Sequence, residues 1–134
     1  MKKILGILLL CGCLVGCGSS GSSSSSPSLT GNWQITINST AFGATGTGSG
    51  AVQQNGSSVT GTLTLSGTPC ATTASLSGSI SGTTVTLQLE EGDQLVNLTG
   101  TANSGLTSMS GSYTAPSGGC TNGDFGTWSA TKTS

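Results

Sequence analysis

From Leu29 onward, apolar and polar residues alternate at period two, in runs that recur every eight to twelve residues with Gly, Asn or Pro between them. No window carries the i, i+3, i+4, i+7 spacing of an amphipathic helix, so this segment is expected to be all-β. Eight strands can be counted. The first four run from Gly31 to Asn38 (Trp33, Ile35 and Ile37 on one face), Gly46 to Gln54, Ser58 to Ser66 (Val59, Leu63, Leu65) and Thr73 to Ile80 (Leu76, Ile80). Next come Thr83 to Glu90 (Val85, Leu87, Leu89), Gln94 to Ala102 (Val96, Leu98), a seventh marked by Met109 and Tyr113, and Phe125 to Lys132 (Trp128, Ala130). The opposite faces are almost wholly Ser, Thr and Gln. An antiparallel up-and-down meander of this kind is expected to close into a small barrel, because closure removes unpaired edges. A two-sheet β-sandwich is the alternative.

Composition narrows the chemistry. Only 5% of the 134 residues are charged, against about 25% in an ordinary globular chain. There is no His and no Arg, which excludes the basic surface that nucleic acid needs. Without imidazole there is no base for a Ser or Cys nucleophile and no His ligand for zinc. The chain is therefore expected to be non-enzymatic, with no cofactor and no metal.

Met1, Lys2 and Lys3 form a positive n-region, followed by an apolar stretch from Ile4 to Leu10 with Leu14 and Val15. That stretch is too short to span ~30 Å of hydrocarbon and reads as an export signal over residues 1–16. It closes on Leu14-Val15-Gly16-Cys17, which resembles the lipobox of bacterial lipoproteins. The resemblance implies cleavage before Cys17, a diacylglyceryl group on its sulfur and acylation of the new amino terminus. More than one acyl chain makes a stable membrane anchor. Gly18 stands where an Asp would, in that family, favour inner-membrane retention, so the outer membrane is expected, on its periplasmic side or at the cell surface. Residues 17–28 are Gly- and Ser-rich and read as a flexible tether of roughly 20 Å reach. The folded domain is then 29–134. In an exported protein Cys70 and Cys120, the two Cys left after the lipid site, most simply pair. Closing a loop of about fifty residues contributes on the order of 4 kcal/mol.

Asn55-Gly56, Ser81-Gly82 and Asn103-Ser104-Gly105 read as tight hairpin turns. In a meander, alternate connections fall on opposite ends, which puts these turns at one end with both termini and the tether. The remaining connections, near Ser39–Thr45, Gly67–Thr72, Glu91–Asp93 and Ala115–Gly123, are mostly longer and are expected at the far end, facing away from the membrane. Both Cys70 and Cys120 fall in them.

Leu29-Thr30-Gly31-Asn32-Trp33 resembles the start of the avidin barrel and the Gly-x-Trp of lipocalins, in which this Trp plugs one end. Trp128-Ser129-Ala130-Thr131-Lys132 is similar to a late strand of avidins, whose pattern continues through one more strand absent here. Lipocalins place a late Arg over the plug Trp, and here Lys132 is the available substitute. No ligand-contacting residue of either family can be matched, so none is carried over. Trp33 and Trp128 are candidates for barrel plug or lumen. Small residues on the inward parity, such as Gly61, Gly78, Gly100 and Gly111, either open a cavity or match the taper of a filled barrel.

Glu90, Glu91, Asp93 and Asp124 gather at the far rim and form the one chemically pointed feature of the chain. Their spacing is not that of an EF-hand, and they read equally as a solvated hairpin turn. Glycoside hydrolysis would need aromatic platforms beyond Phe125 and Trp128. Two classes remain: a membrane-anchored binding module for a small apolar ligand or a surface partner, and a structural lipoprotein with a filled barrel.

Overall fold

The computed structural model describes residues 26–134. Eight antiparallel strands form a closed barrel in sequence order: β1 (Gly31–Ser39), β2 (Thr45–Asn55), β3 (Ser58–Ser66), β4 (Thr73–Ser81), β5 (Thr84–Glu91), β6 (Gln94–Ala102), β7 (Ser108–Ala115) and β8 (Asp124–Lys132). Closure runs through β1 and β8, from Trp33 opposite Lys132 to Ser39 opposite Gly126. It continues past the last strand, where Asn32 N–H donates to the Ser134 carbonyl at 2.8 Å and Thr133 N–H to the Asn32 carbonyl at 2.8 Å. Every strand thus has two neighbours, and no edge is left for pairing with another chain. The sandwich alternative is excluded.

Period-two alternation makes the barrel interior. Trp33, Leu63, Leu76, Leu87, Leu98 and Trp128 are buried on the inward parity, while the intervening Ser and Thr are exposed. Eight strands leave an interior just wide enough for side chains, and this sequence fits large ones by setting glycine opposite them. Trp33 faces Gly50, Ile35 faces Gly48 and Val52 faces Gly61 across their ladders. Leu87 likewise faces Gly78, and Trp128 faces Gly111. The glycines with inward parity along most of the barrel therefore serve a filled interior.

The end at which residues 26–30 and Ser134 lie is sealed. Leu29 is fully buried; its carbonyl accepts the Trp33 indole N–H at 2.7 Å, and its own N–H donates to Gln54 Oε1 at 2.8 Å. Lys132, the register partner of Trp33, sends its ammonium to the Ser28 carbonyl at 2.9 Å. The β6–β7 connection departs from the expected Asn103-Ser104-Gly105 turn. It spans 103–107, and Leu106, not Gly105, takes the left-handed conformation (φ 52°). A left-handed non-glycine residue costs ~1–2 kcal/mol, but burying a leucine side chain contributes about 1.5–3 kcal/mol. Leu106 is 7% exposed, so burial wins.

The connections β1–β2, β3–β4, β5–β6 and β7–β8 occupy the opposite end, called the mouth below. One of them is not long: β5 and β6 are joined by Gly92 and Asp93 alone, with Gly92 at φ 67°. This corrects the placement of Glu91 in a loop. A two-residue turn leaves Glu91 as the last residue of β5, on the same inward parity as Leu87 and Leu89.

Candidate functional site

At the mouth the barrel is not filled. A cavity of about 330 Å³ opens there, room for about ten waters at ~30 Å³ each and at the lower limit of ligand pockets. Its local cause is residue size: Gly46 on β2 and Ala115 on β7 hold inward positions that Leu or Trp hold deeper in the barrel. Ile37, Val96, Phe42 and Pro69 make up most of the remaining apolar wall.

Cys70 and Cys120 are disulfide-bonded, with Cα atoms 5.5 Å apart. One lies between β3 and β4 and the other between β7 and β8, on opposite sides of an eight-strand ring, so the bridge is a strap across the mouth. Gln94 anchors one end of that strap. Its Oε1 accepts the N–H and O–H of Thr121 at 3.1 and 2.8 Å, and its Nε2 donates to the Leu95 and Pro116 carbonyls at 2.9 and 3.4 Å. Gly119 packs so closely that a Cβ there would stand 2.6 Å from the Gln94 carboxamide carbon. Gly92 lies against the Cys70 carbonyl. The cavity lining runs from Glu91, Gln94 and Val96 on β5 and β6 to the β1–β2 loop, whose Phe42 is 61% exposed.

Two carboxyl groups reach this cavity. Asp124 accepts the Ser39 hydroxyl at 2.6 Å and the Phe125 N–H at 2.8 Å on Oδ1, and the Tyr113 phenol at 2.7 Å on Oδ2. Ser39 in turn accepts the Phe42 N–H at 3.0 Å, which fixes the β1–β2 loop to the same cluster. Burial first, then the hydrogen bond and charge of Asp124, push the Tyr113 phenol up to about 12; the Ser39 hydroxyl offsets part of this and Glu91 adds to it. Glu91 is different. It is 4% exposed, and no protein hydrogen bond to its carboxyl is found among the described residues. Burial raises this carboxyl above its ordinary value.

The four acids grouped by sequence therefore divide. Glu91 and Asp124 face the cavity, whereas Glu90 and Asp93 are exposed outside it, Glu90 accepting the Ser75 hydroxyl at 3.2 Å. Trp33 closes the opposite end, and Trp128 lies deeper in the barrel, so neither lines the cavity. Phe125 is 54% exposed on the outer face. Among the described residues no group of three or more acidic, Cys or His side chains is placed to hold a metal ion. No family model and no curated protein matches this chain. The lipoprotein, avidin and lipocalin resemblances accordingly gain no relative in support, and Cys17 lies outside the described residues. Sequence reasoning missed Gln94, Tyr113 and Ser39 as parts of the site. For Gln94 the signal was present, since it shares the parity of Val96 and Leu98 and is a polar residue at an inward position.

Proposed function

We propose that the chain is a non-enzymatic binding module whose mouth cavity takes one small, largely apolar molecule. The observation that carries this reading is a mainly apolar cavity of about 330 Å³ at the mouth, above a continuous buried cluster that fills the barrel interior. Protein interiors are close-packed, and unfilled apolar space lowers stability, so a cavity of this size at one end favours an occupant. The direction of the chain supports the membrane part of the proposal. Residues 26–30 enter at the sealed end, so an acylated Cys17 and its tether would present the mouth away from an outer-membrane surface.

Native mass spectrometry of the lipoprotein released from its own membrane tests this. A non-covalent mass that disappears on denaturation is the expected result. A mass equal to that of the lipidated, oxidised chain alone would overturn it. That outcome would favour the second reading, a structural or surface-interaction lipoprotein, which the sealed and filled lower barrel supports.

A further inference from the structure

The side chains that line the mouth cavity have spent their hydrogen-bond donors. The Ser39 and Tyr113 hydroxyls both go to Asp124. Thr121 gives its hydroxyl to Gln94, Thr68 gives its own to the Ala71 carbonyl at 2.9 Å, and both Gln94 Nε2 hydrogens go to backbone carbonyls. None is left for Glu91. Among the described residues no side-chain oxygen or nitrogen is both sealed from solvent and unpartnered. The remaining accessible surface of the Glu91 carboxyl therefore opens into the cavity that it lines. A buried carboxylate without a donor is expensive, and the donor that satisfies it has to come from whatever occupies the cup.

Charge specifies that donor further. All four acidic residues of the chain, Glu90, Glu91, Asp93 and Asp124, lie at the mouth end. Lys132, the one cationic side chain among the described residues, is at the opposite end on the Ser28 carbonyl. A ligand entering the cup meets negative potential and no competing cation. The site is poorly suited to a divalent metal, because Asp124 has committed both oxygens to donors and, among the described residues, no third acidic, Cys or His side chain joins it and Glu91.

We propose that the cup selects a small organic amine: a primary or secondary ammonium that donates an N–H to Glu91, with its apolar body against Ile37 and Val96. This rests on the reading of the cup as a ligand site and names the chemical class of that ligand. An ammonium carrying N–H supplies the missing donor as a charge-assisted hydrogen bond; a quaternary ammonium cannot.

The test compares benzylamine with benzyl alcohol, probes of nearly equal size, by calorimetric titration of the full-length oxidised protein near neutral pH. Benzylamine is expected to bind at least tenfold more tightly than the alcohol. Glu91→Gln should bring the two to within about twofold, while Glu90→Gln, on the outer face, should keep the preference. Equal affinities in the wild-type protein, or a preference that survives Glu91→Gln, would overturn the amine assignment while leaving the cup a binding site. Binding of neither probe by the wild-type protein would overturn the cup reading itself. Because Gln removes a charge without changing shape, circular dichroism should show the variant folded; a tenfold preference in Glu91→Leu provides an independent refutation.

Discussion

Trp128 faces Gly111 across the β7–β8 ladder, and its indole N–H points at the Thr99 and Ser112 carbonyls, 3.2 and 3.1 Å away. Gly100 continues the same row, opposite Gly111. A Cβ on Gly111 would run into the Thr99 carbonyl oxygen, which belongs to backbone and cannot swing aside. Gly111→Ala is therefore expected to destabilise the barrel by about 1–3 kcal/mol, the range for overpacking. In a domain of about a hundred residues that lowers Tm by several degrees. Trp128→Phe keeps most of the volume but removes the indole N–H shared by these two carbonyls, for a loss of about 1 kcal/mol or more. Thermal unfolding of the oxidised protein measures both. An unchanged Tm in Gly111→Ala would show that the row is not tightly packed.

Tyr113 is the one tyrosine of the chain, so the phenolate absorbance reports it alone. Its phenol is held up to about 12, with burial the largest cause and Asp124 the next. Asp124→Asn removes the charge and leaves the burial. The titration midpoint should therefore move down from about 12 without reaching the ordinary value of 10.0. The folded value lies above the unfolded one. Stability from this group is thus complete below pH 10 and is lost as pH rises towards 12. A midpoint unaffected by Asp124→Asn would mean that the Tyr113–Asp124 hydrogen bond is not formed in solution.

The barrel was legible because nearly every strand obeys strict alternation and nearly every turn contains Gly or Asn, so the two local signals agree on strand count and direction. Placement of residues 26–30 with the C-terminal residues at one end, and of Cys70 and Cys120 at the other, followed from parity of the connections alone. The cup was less legible. Whether an inward glycine fills or empties a barrel depends on its cross-strand partner, and register is not written in composition: Gly61 meets Val52, whereas Gly46 meets Ile37 at the cavity wall. Glu91 was misplaced for a local reason. Four acidic and turn-forming residues in a row resemble a solvated loop, and one extra strand residue turns a side chain from solvent to the interior.

The strap makes a separable contribution. Cys70 and Cys120 close a loop of 50 residues, for which chain entropy gives about 4 kcal/mol. Replacing both by Ser should lower Tm substantially, and reductant should lower the wild-type Tm to about the same value while leaving the double variant unmoved. The barrel ladders do not depend on the bridge, so loss of amide protection on reduction should concentrate in the loops that carry it, residues 67–72 and 116–123, with Thr121, whose N–H is held by Gln94, losing least. Hydrogen exchange measures this. Equal loss across all eight strands would mean that the bridge supports the barrel as a whole.

Glu91 predicts a pH dependence of opposite sense to that of an ordinary paired carboxylate. Burial raises its folded value above the unfolded one, so the native state favours the protonated form. Its contribution to stability is present below the unfolded value and is lost as pH rises through the raised folded value. At neutral pH, above the ordinary carboxylate range, burial opposes the ionisation that the unfolded chain allows. Glu91→Gln, which cannot ionise, should therefore raise Tm at pH 7. Below the ordinary carboxylate range, where both proteins are neutral at this position, the difference should shrink towards zero. Thermal unfolding of ligand-free wild-type and variant protein across that interval measures it. A wild-type protein more stable than Glu91→Gln at pH 7 would show that the carboxylate has found a partner within the protein, and the unpaired state of Glu91 would be refuted.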